Sequence, residues 1–314
     1  MKIAVFGTGG MARTHLDALA TLPDVEVVGH VDVAQDLADA AVKKWGGRGY
    51  TSAKELLANE TVDAAWVLVP PHAHGVIERT LLENKIPFMA EKPLTADRKT
   101  GEQIAEAVER HQVIAGVGYQ WRAMDTIPVV REQLKETPPR MVVGTYHGPT
   151  PPPAWWRRQD QSGGQFVEQA THLFDLARFL VGKEATVKGA LGHYHNRPNF
   201  PGLDVDDVSA ALLQFGDDIP SVFSATCLLS RPTTLEIQLI CDGVRITVSK
   251  SNTTFEYGHE FRKLEVRNNP YLAEDQAFIE AVQTGDSSKL YCSYADAART
   301  HDLTHSILEI MRST

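Results

Sequence analysis

Four groups of residues in this 314-residue chain have the types and spacing to do chemistry. The first is Gly7-Thr8-Gly9-Gly10-Met11-Ala12, a G-x-G-x-x-A spacing directly after an apolar run. Its first Gly permits a tight turn, its second lets the backbone approach a pyrophosphate, and a small third residue lets a helix pack closely on its strand. The helix that follows turns free N–H groups and a positive dipole end toward the phosphates. The second group is Asp32, 20 residues past Ala12, where a carboxylate accepts hydrogen bonds from an adenosine ribose. That carboxylate repels a 2′-phosphate, and Val33-Ala34 bring no Arg to hold one, so NAD is expected over NADP. The third is Glu91-Lys92-Pro93. Pro93 fixes its own φ and biases Lys92 away from helical conformation, which sets the Lys on a defined bend. Taken by itself, the segment reads as a surface Glu-Lys pair before a helix. The fourth is Glu168, His172 and Asp175, which are i,i+4 and i,i+3 neighbours on an expected helix over 164–181. A carboxylate beside His172 raises its pKa and fixes its orientation. A wheel puts Phe166, Ala170, Leu173, Ala177, Leu180 and Val181 on one stripe and Gln165, Glu168, His172 and Asp175 opposite. A solvated amphipathic helix gives the same wheel.

The elements that must position these groups follow from the hydrophobic pattern. Strands are expected at 2–7, 25–32, 62–70, 87–91 and 113–119, with helices at 10–20, 34–45, 52–59, 74–84 and 95–111 between them. The strands are nearly continuous apolar runs, as in Ala64-Ala65-Trp66-Val67-Leu68-Val69. Runs like that are covered on both faces, as in a parallel sheet between helix layers. Residues 1–120 therefore read as a doubly wound α/β, Rossmann-type dinucleotide-binding domain. In such a sheet a Lys at the carboxyl end of a strand faces the ligand crevice.

Residues 121–314 read as an α+β substrate-binding and oligomerisation domain with an open, mostly antiparallel sheet. A strand over 140–150 leads into a Pro-rich loop ending in Trp155-Trp156-Arg157-Arg158, ahead of the 164–181 helix. Leu235, Ile237, Leu239 and Cys241 alternate with Thr234, Glu236 and Gln238, and Asp242-Gly243 is a two-residue hairpin signal. Helices over 271–284 and 294–311 close the chain, and the last is free to pack back on the first domain.

These motifs, in this order, resemble those of the Gfo/Idh/MocA oxidoreductases, the group of glucose–fructose oxidoreductase and inositol dehydrogenase. The matching residues are Gly7 to Ala12, Pro70-Pro71-His72-Ala73-His74, Glu91-Lys92-Pro93, Gly118-Tyr119-Gln120-Trp121-Arg122, and Gly163-Gly164 followed by Glu168, His172 and Asp175. The resemblance spans essentially the whole chain. One departure is Glu168, where the family commonly has Asp four residues before its catalytic His. The resemblance implies that His74, Glu91, Lys92 and the segment Tyr119 to Arg122, with Trp121 and Arg122, line the nicotinamide side of the cofactor, and that Pro70 and Pro93 also belong to the cofactor site. It also implies a hydride transfer between NAD(P) and a secondary hydroxyl or ketone of a sugar, inositol or related polyol.

In that reaction the cofactor supplies the hydride chemistry, and the protein positions the carbon and handles the proton. Lys92 can hydrogen-bond the reacting oxygen and His172 can exchange the proton near neutral pH, and the sequence leaves open which takes it. Trp155 and Trp156 suit a sugar's apolar face, and Arg157 suits hydroxyls or a carboxylate; core packing and surface charge explain them equally. Two rival readings remain: a glycosidase or lyase that retains NAD and acts through a transient ketone, and a non-catalytic dinucleotide sensor. His193 and His195 with Asp204, Asp206 and Asp207 match no ligand spacing, so no metal is expected.

Bulk composition agrees with these readings. Hydrophobic residues are 43% of the chain, and 31 basic against 40 acidic residues give a net charge of −9. That balance argues against a general nucleic-acid or membrane-surface binder. Three scattered cysteines read as free thiols in a reducing, cytoplasmic compartment. No apolar run approaches a membrane span. An open sheet needs a cover on its second face, so a homodimer or homotetramer is expected.

Overall fold

The computed structural model describes residues 1–313. The chain divides into two compact units. One comprises Met1–Thr95, Lys99–Gln120 and Asn269–Ala298; the other comprises Ala96–Arg98, Trp121–Asn268 and the chain from Arg299 onward.

The first unit alternates strands and helices: β1 (Lys2–Phe6), α1 (Gly10–Leu19), β2 (Glu26–Val31), α2 (Gln35–Trp45), β3 (Arg48–Tyr50), α3 (Ala53–Asn59), β4 (Ala64–Val67), α4 (Val76–Glu83), β5 (Phe88–Glu91), α5 (Arg98–His111) and β6 (Ala115–Gly118). The strands form one parallel sheet in the order β3-β2-β1-β4-β5-β6. Ile3, Val5, Ala64 and Trp66 are fully buried on one side with α1, and Ala4, Phe6, Ala65 and Val67 on the other, as a doubly covered sheet requires. The strand order reverses between β1 and β4, which makes their carboxyl ends the switch point where such sheets bind ligands. The expected elements are all present. β3 adds a strand that three residues, Arg48-Gly49-Tyr50, are too few to announce.

The second unit runs α6 (Ile127–Glu136), β7 (Pro139–His147), a 3-10 turn at Ala154–Arg157, α7 (Gln159–Ser162), α8 (Gln165–Glu168), α9 (Thr171–Val181), then β8 (Ala185–His193), β9 (Val208–Phe215), β10 (Ile219–Thr226), β11 (Thr234–Cys241), β12 (Val244–Ser249), β13 (Asn252–Tyr257) and β14 (Glu260–Glu265). Its eight strands are ordered β14-β13-β12-β11-β7-β10-β9-β8, with β7 and β10 parallel and the other neighbours antiparallel. Asp242-Gly243 is the hairpin its sequence implies: Cys241 pairs with Val244, and Gly243 holds φ +78, which a Cβ would strain. Residues of one sheet face, including Phe215, Phe223, Ile237, Ile246 and Phe255, share a core with Phe166, Leu173, Phe174 and Leu303.

Two helices complete the chain, α10 (Pro270–Thr284) and α11 (Tyr294–Ser313). The Asn269 side chain caps α10 by accepting from the backbone N–H of Tyr271 and Leu272, and Pro270 occupies the first turn. This helix belongs to the first unit, where Phe278 meets Trp66 edge-on at 5.1 Å. The chain thus passes between the units more than once, with Ala96–Arg98 and Trp121–Asn268 in the second and Asn269–Ala298 returning to the first.

The 164–181 helix is not continuous. Gly163 and Gly164, at φ +76 and +82, start α8, which ends at Glu168, and α9 begins at Thr171. At the break the Ala170 N–H reaches back five residues to the Gln165 carbonyl, which widens the turn. Among the described residues, no helix is long and apolar enough to cross a membrane.

Candidate active site

In the first unit the carboxyl ends of neighbouring strands carry the expected cofactor residues in spatial order. Asp32 follows β2, Gly7 to Ala12 follow β1, Pro70 to His74 follow β4, and Glu91-Lys92-Pro93 end β5. Gly7 has φ +89, and a Cβ there would lie 2.4 Å from the Leu68 carbonyl oxygen, so only glycine fits. A Cβ on Gly9 or Gly10 would meet nothing within 4 Å, which leaves open space at the N-terminus of α1. No side chain caps that helix, so its first N–H groups are left to an outside acceptor. Met11 is half-buried, and Ala12 packs fully inside. Asp32 is fixed by its own loop: Oδ2 accepts from the Thr8 backbone N–H (3.1 Å) and hydroxyl (2.7 Å), and Oδ1 from the Ala34 N–H (3.1 Å). The cradle of Gly9 and Gly10, the uncapped helix and the placed carboxylate fit a dinucleotide.

After β4, Pro71–Ala73 form a 3-10 turn, so α4 starts at Val76 and His74 lies outside the helix in extended conformation. His72 is exposed and His74 buried. Glu78 holds the latter, with Oε1 at 2.5 Å from His74 Nδ1 and Oε2 accepting from the Gly75 N–H at 2.6 Å. His74 Nε2 is buried and has no partner among the described residues. A bound group opposite it would satisfy that atom, as the resemblance implies.

Glu91 is buried and its carboxylate is shared. Oε2 accepts from the Lys92 N–H at 3.0 Å, and Oε1 faces His15 Nε2 at 3.3 Å. The other His15 nitrogen lies 2.9 Å from Asp275 Oδ1, which also accepts from the Trp66 indole at 2.7 Å. Carboxylates only accept, so an imidazole between two of them donates from both nitrogens as the cation. Burial pulls the His15 pKa down, but Asp275 and Glu91 override it and hold it well above the usual value. Tyr271 and Glu274 come from the first turns of α10. The Tyr271 hydroxyl accepts from Gln120 at 3.0 Å, and burial followed by the Glu91 charge raises its pKa. Lys92 is half-buried, and a cis peptide joins it to Pro93.

His172 and its neighbours belong to the second unit. The His172 ring is buried and stacks on Trp121 with centroids 6.2 Å apart and planes at 16°. Glu168, on the far side of the helix break, accepts from the Trp156 indole N–H at 2.8 Å. Trp156 is fully buried with Val205 and Cys227, so it offers no ring face to a ligand and instead fixes Glu168; Trp155 is half-buried. Asp175 is also buried. It takes a two-pronged bond from Arg122 (2.7 and 2.5 Å) and another from the Thr300 hydroxyl (3.1 Å). The polar side of α9 is therefore an interior surface, not a solvated one, and Arg122 is committed to Asp175. His195 Nδ1 lies 2.9 Å from Asp207, and no cluster of three or more His, Cys, Asp or Glu that could hold a metal occurs among the described residues.

Residues 1–119 match the family model described as "Oxidoreductase family, NAD-binding Rossmann fold", and residues 138–247 match the GFO/IDH/MocA C-terminal domain. The chain belongs to the Gfo/Idh/MocA oxidoreductases. It is 32% identical over 238 residues to myo-inositol dehydrogenase Hyg17 of Streptomyces leeuwenhoekii, covering 72% of this chain and 69% of that one. The fold of this Gfo/Idh/MocA member superposes on levoglucosan dehydrogenase in complex with NADH and levoglucosan at TM-score 0.88, with 17% identity over 100% and 97% of the chains. It superposes on KijD10, a 3-ketoreductase from Actinomadura kijaniata in complex with NADP and TDP-benzene, at TM-score 0.86, with 19% identity over 99% and 97%.

Sequence reasoning missed His15, Glu78, Tyr271, Glu274 and Asp275. A signal existed for His15, which shares the buried face of α1 with Ala12, Leu16 and Leu19. None existed for its partner, 260 residues away in sequence.

Proposed function

We propose that the chain is an NAD-dependent dehydrogenase or reductase acting on a secondary hydroxyl or ketone of a sugar, inositol or related polyol. The observation that carries the reading is the row of Asp32, Gly7 to Ala12, His74 and Lys92 along the carboxyl ends of adjacent strands. A nicotinamide bound there supplies the hydride acceptor or donor. The N–H groups at the start of α1 hold the pyrophosphate and Asp32 holds the adenosine ribose. Its carboxylate, with Val33-Ala34-Gln35 beyond it and no Arg, favours NAD(H) over NADP(H).

Lys92 stabilises negative charge on the reacting oxygen, and His172 takes or returns its proton. Glu91 orients Lys92 through the backbone N–H. The Trp121 ring keeps His172 in place, and Glu168 stands one turn before it. Trp155 and Arg157 are the substrate contacts on the loop ahead of these helices. Self-association belongs to the same reading: Leu191, Leu212 and Val222 are neighbours on one face of β8–β10, with 64%, 48% and 38% of their surfaces exposed. Light scattering reads this directly.

The test is a screen of sugars and polyols with NAD+ and NADP+, followed by the absorbance of the reduced nicotinamide. At least one compound should turn over, faster with NAD+. Lys92→Ala and His172→Ala should each lower the rate by at least about a hundredfold, with cofactor affinity of Lys92→Ala largely kept. Near-normal turnover by Lys92→Ala defeats the mechanism.

A further inference from the structure

Within the second unit, two arginines share one aromatic ring. The guanidinium carbon of Arg157 lies 5.4 Å from the centre of Phe200, and that of Arg197 lies 4.3 Å from it. Arg157 comes from the 3-10 turn before α7, and Arg197 and Phe200 come from the loop joining β8 to β9. Each cation gains from the ring face, but two like charges brought together on half-buried side chains repel.

Among the described residues no carboxylate neutralises them. Arg197 Nη1 donates to uncharged acceptors: the Thr150 hydroxyl at 2.8 Å, the Cys227 carbonyl at 3.4 Å and its sulfur at 3.6 Å. The acids nearby are committed elsewhere. Asp204 accepts from the Gln159 N–H at 2.6 Å and faces Arg158 at 3.4 Å, while Asp207 is taken by the backbone and ring of His195. Arg157 Nε is buried and has no hydrogen-bond partner among the described residues. A chain with a net charge of −9 has thus gathered two uncompensated guanidiniums at one spot. Next to Arg157 in sequence, Trp156 bonds Glu168, which ties the spot to the helices that carry His172.

We propose that Arg157 and Arg197 bind an oxyanion, a carboxylate or a phosphate, carried by the substrate. The planar donor forks of two arginines suit these groups, and their charge is matched only when such a group is present. Phe200 and Trp155, both half-buried, supply the apolar wall beside it. The inference rests on the sugar or polyol reading above and narrows it to acidic derivatives: uronates, aldonates or sugar phosphates.

The test is binding to the full chain loaded with NAD+, at constant ionic strength, of three matched probes: glucose, glucuronate and glucose 6-phosphate. Glucuronate or glucose 6-phosphate should bind at least about tenfold more tightly than glucose, and Arg157→Gln or Arg197→Gln should reduce that preference about tenfold. A preference for glucuronate alone identifies a carboxylate, and one for glucose 6-phosphate alone a phosphate. Arg157→Lys and Arg197→Lys keep the charge without the fork and should retain part of the preference. The proposal is overturned where neither anion outbinds glucose, or where the preference survives both Gln substitutions. Anion preference without oxidation of any sugar defeats the oxidoreductase reading and leaves the anion site standing. Oxidation of neutral sugars without that preference does the reverse.

Discussion

Glu274 is a buried carboxyl whose two oxygens have no hydrogen-bond partner among the described residues. Burial raises its pKa well above the usual value; the His15 cation opposes this, and Asp275 and Glu91 add to it. The folded protein therefore holds a proton that the unfolded chain releases above its ordinary carboxyl pKa. The sign follows from linkage: where the native state binds more protons, stability falls as pH rises. Glu274 thus favours the fold at acid pH and costs stability from about pH 4.5 upward. Glu274→Gln mimics the protonated acid without the titration. Its Tm should exceed that of the wild type at pH 8 by several degrees, at roughly 2–4 °C per kcal/mol, with the difference vanishing near pH 4. Thermal melts across that range check it, and equal curves would mean that Glu274 ionises normally. The same cluster marks where sequence reading stops. Gly7 to Ala12 and Asp32 are legible because each motif is local and its chemistry depends on backbone shape, whereas Lys92 taken by itself reads as a surface residue and is singled out by the resemblance. His15, Glu274 and Asp275 become a cluster only when α10 packs beside α1, which no local spacing encodes.

Elements were legible in proportion to their length and periodicity. The five longer strands and the five helices of the first unit follow from apolar runs and helical periodicity, and the Asp242-Gly243 turn from its two residues. The break between α8 and α9 had no such signal. Gln169 and Ala170 are neither Pro nor Gly, and the widened turn comes from the backbone bond of Ala170 to Gln165. The wheel correctly grouped His172 and Asp175, yet both are buried, because α9 packs on more than one side. A helix surrounded in this way can keep polar residues only by pairing them. Arg122 fills this role: it binds Asp175 with two bonds and lies 4.7 Å from the Phe179 ring. Removing one member of a buried pair leaves a charge that the interior cannot solvate. Arg122→Leu should therefore destabilise the second unit by about 3–5 kcal/mol in denaturant unfolding. Adding Asp175→Leu to Arg122→Leu should recover part of that loss. A loss below 1 kcal/mol would show that Asp175 finds another donor.

At the scale of the molecule, each unit holds a buried group that titrates in the opposite direction to the other's. Glu274 in the first favours acid conditions, whereas the second holds His301 and His305, whose rings meet at 4.3 Å on α11. Burial lowers both pKa values, and that of His305 is pushed down to about 3, with His301, Arg98 and Arg312 adding to the effect. The His305 Nε2 atom is buried and has no partner among the described residues, so nothing rewards a proton there. The unfolded chain, by contrast, binds that proton below about pH 6.5. Here the unfolded state holds more protons, so stability is full above that pH and declines as pH falls toward 3. Hydrogen exchange resolved by peptide should show second-unit segments, α9 and β7 to β12, losing protection between pH 6.5 and 5. The core strands β1, β4 and β5 should not lose it through Glu274 in that range. His305→Leu removes the most strongly shifted of these rings and should flatten the acid limb for the second unit, so that its protection falls less between pH 7 and pH 5 than that of the wild type. A variant that loses protection as steeply as the wild type would assign the acid sensitivity to the other second-unit imidazoles whose pKa burial lowers, His301 and His147, and not to His305.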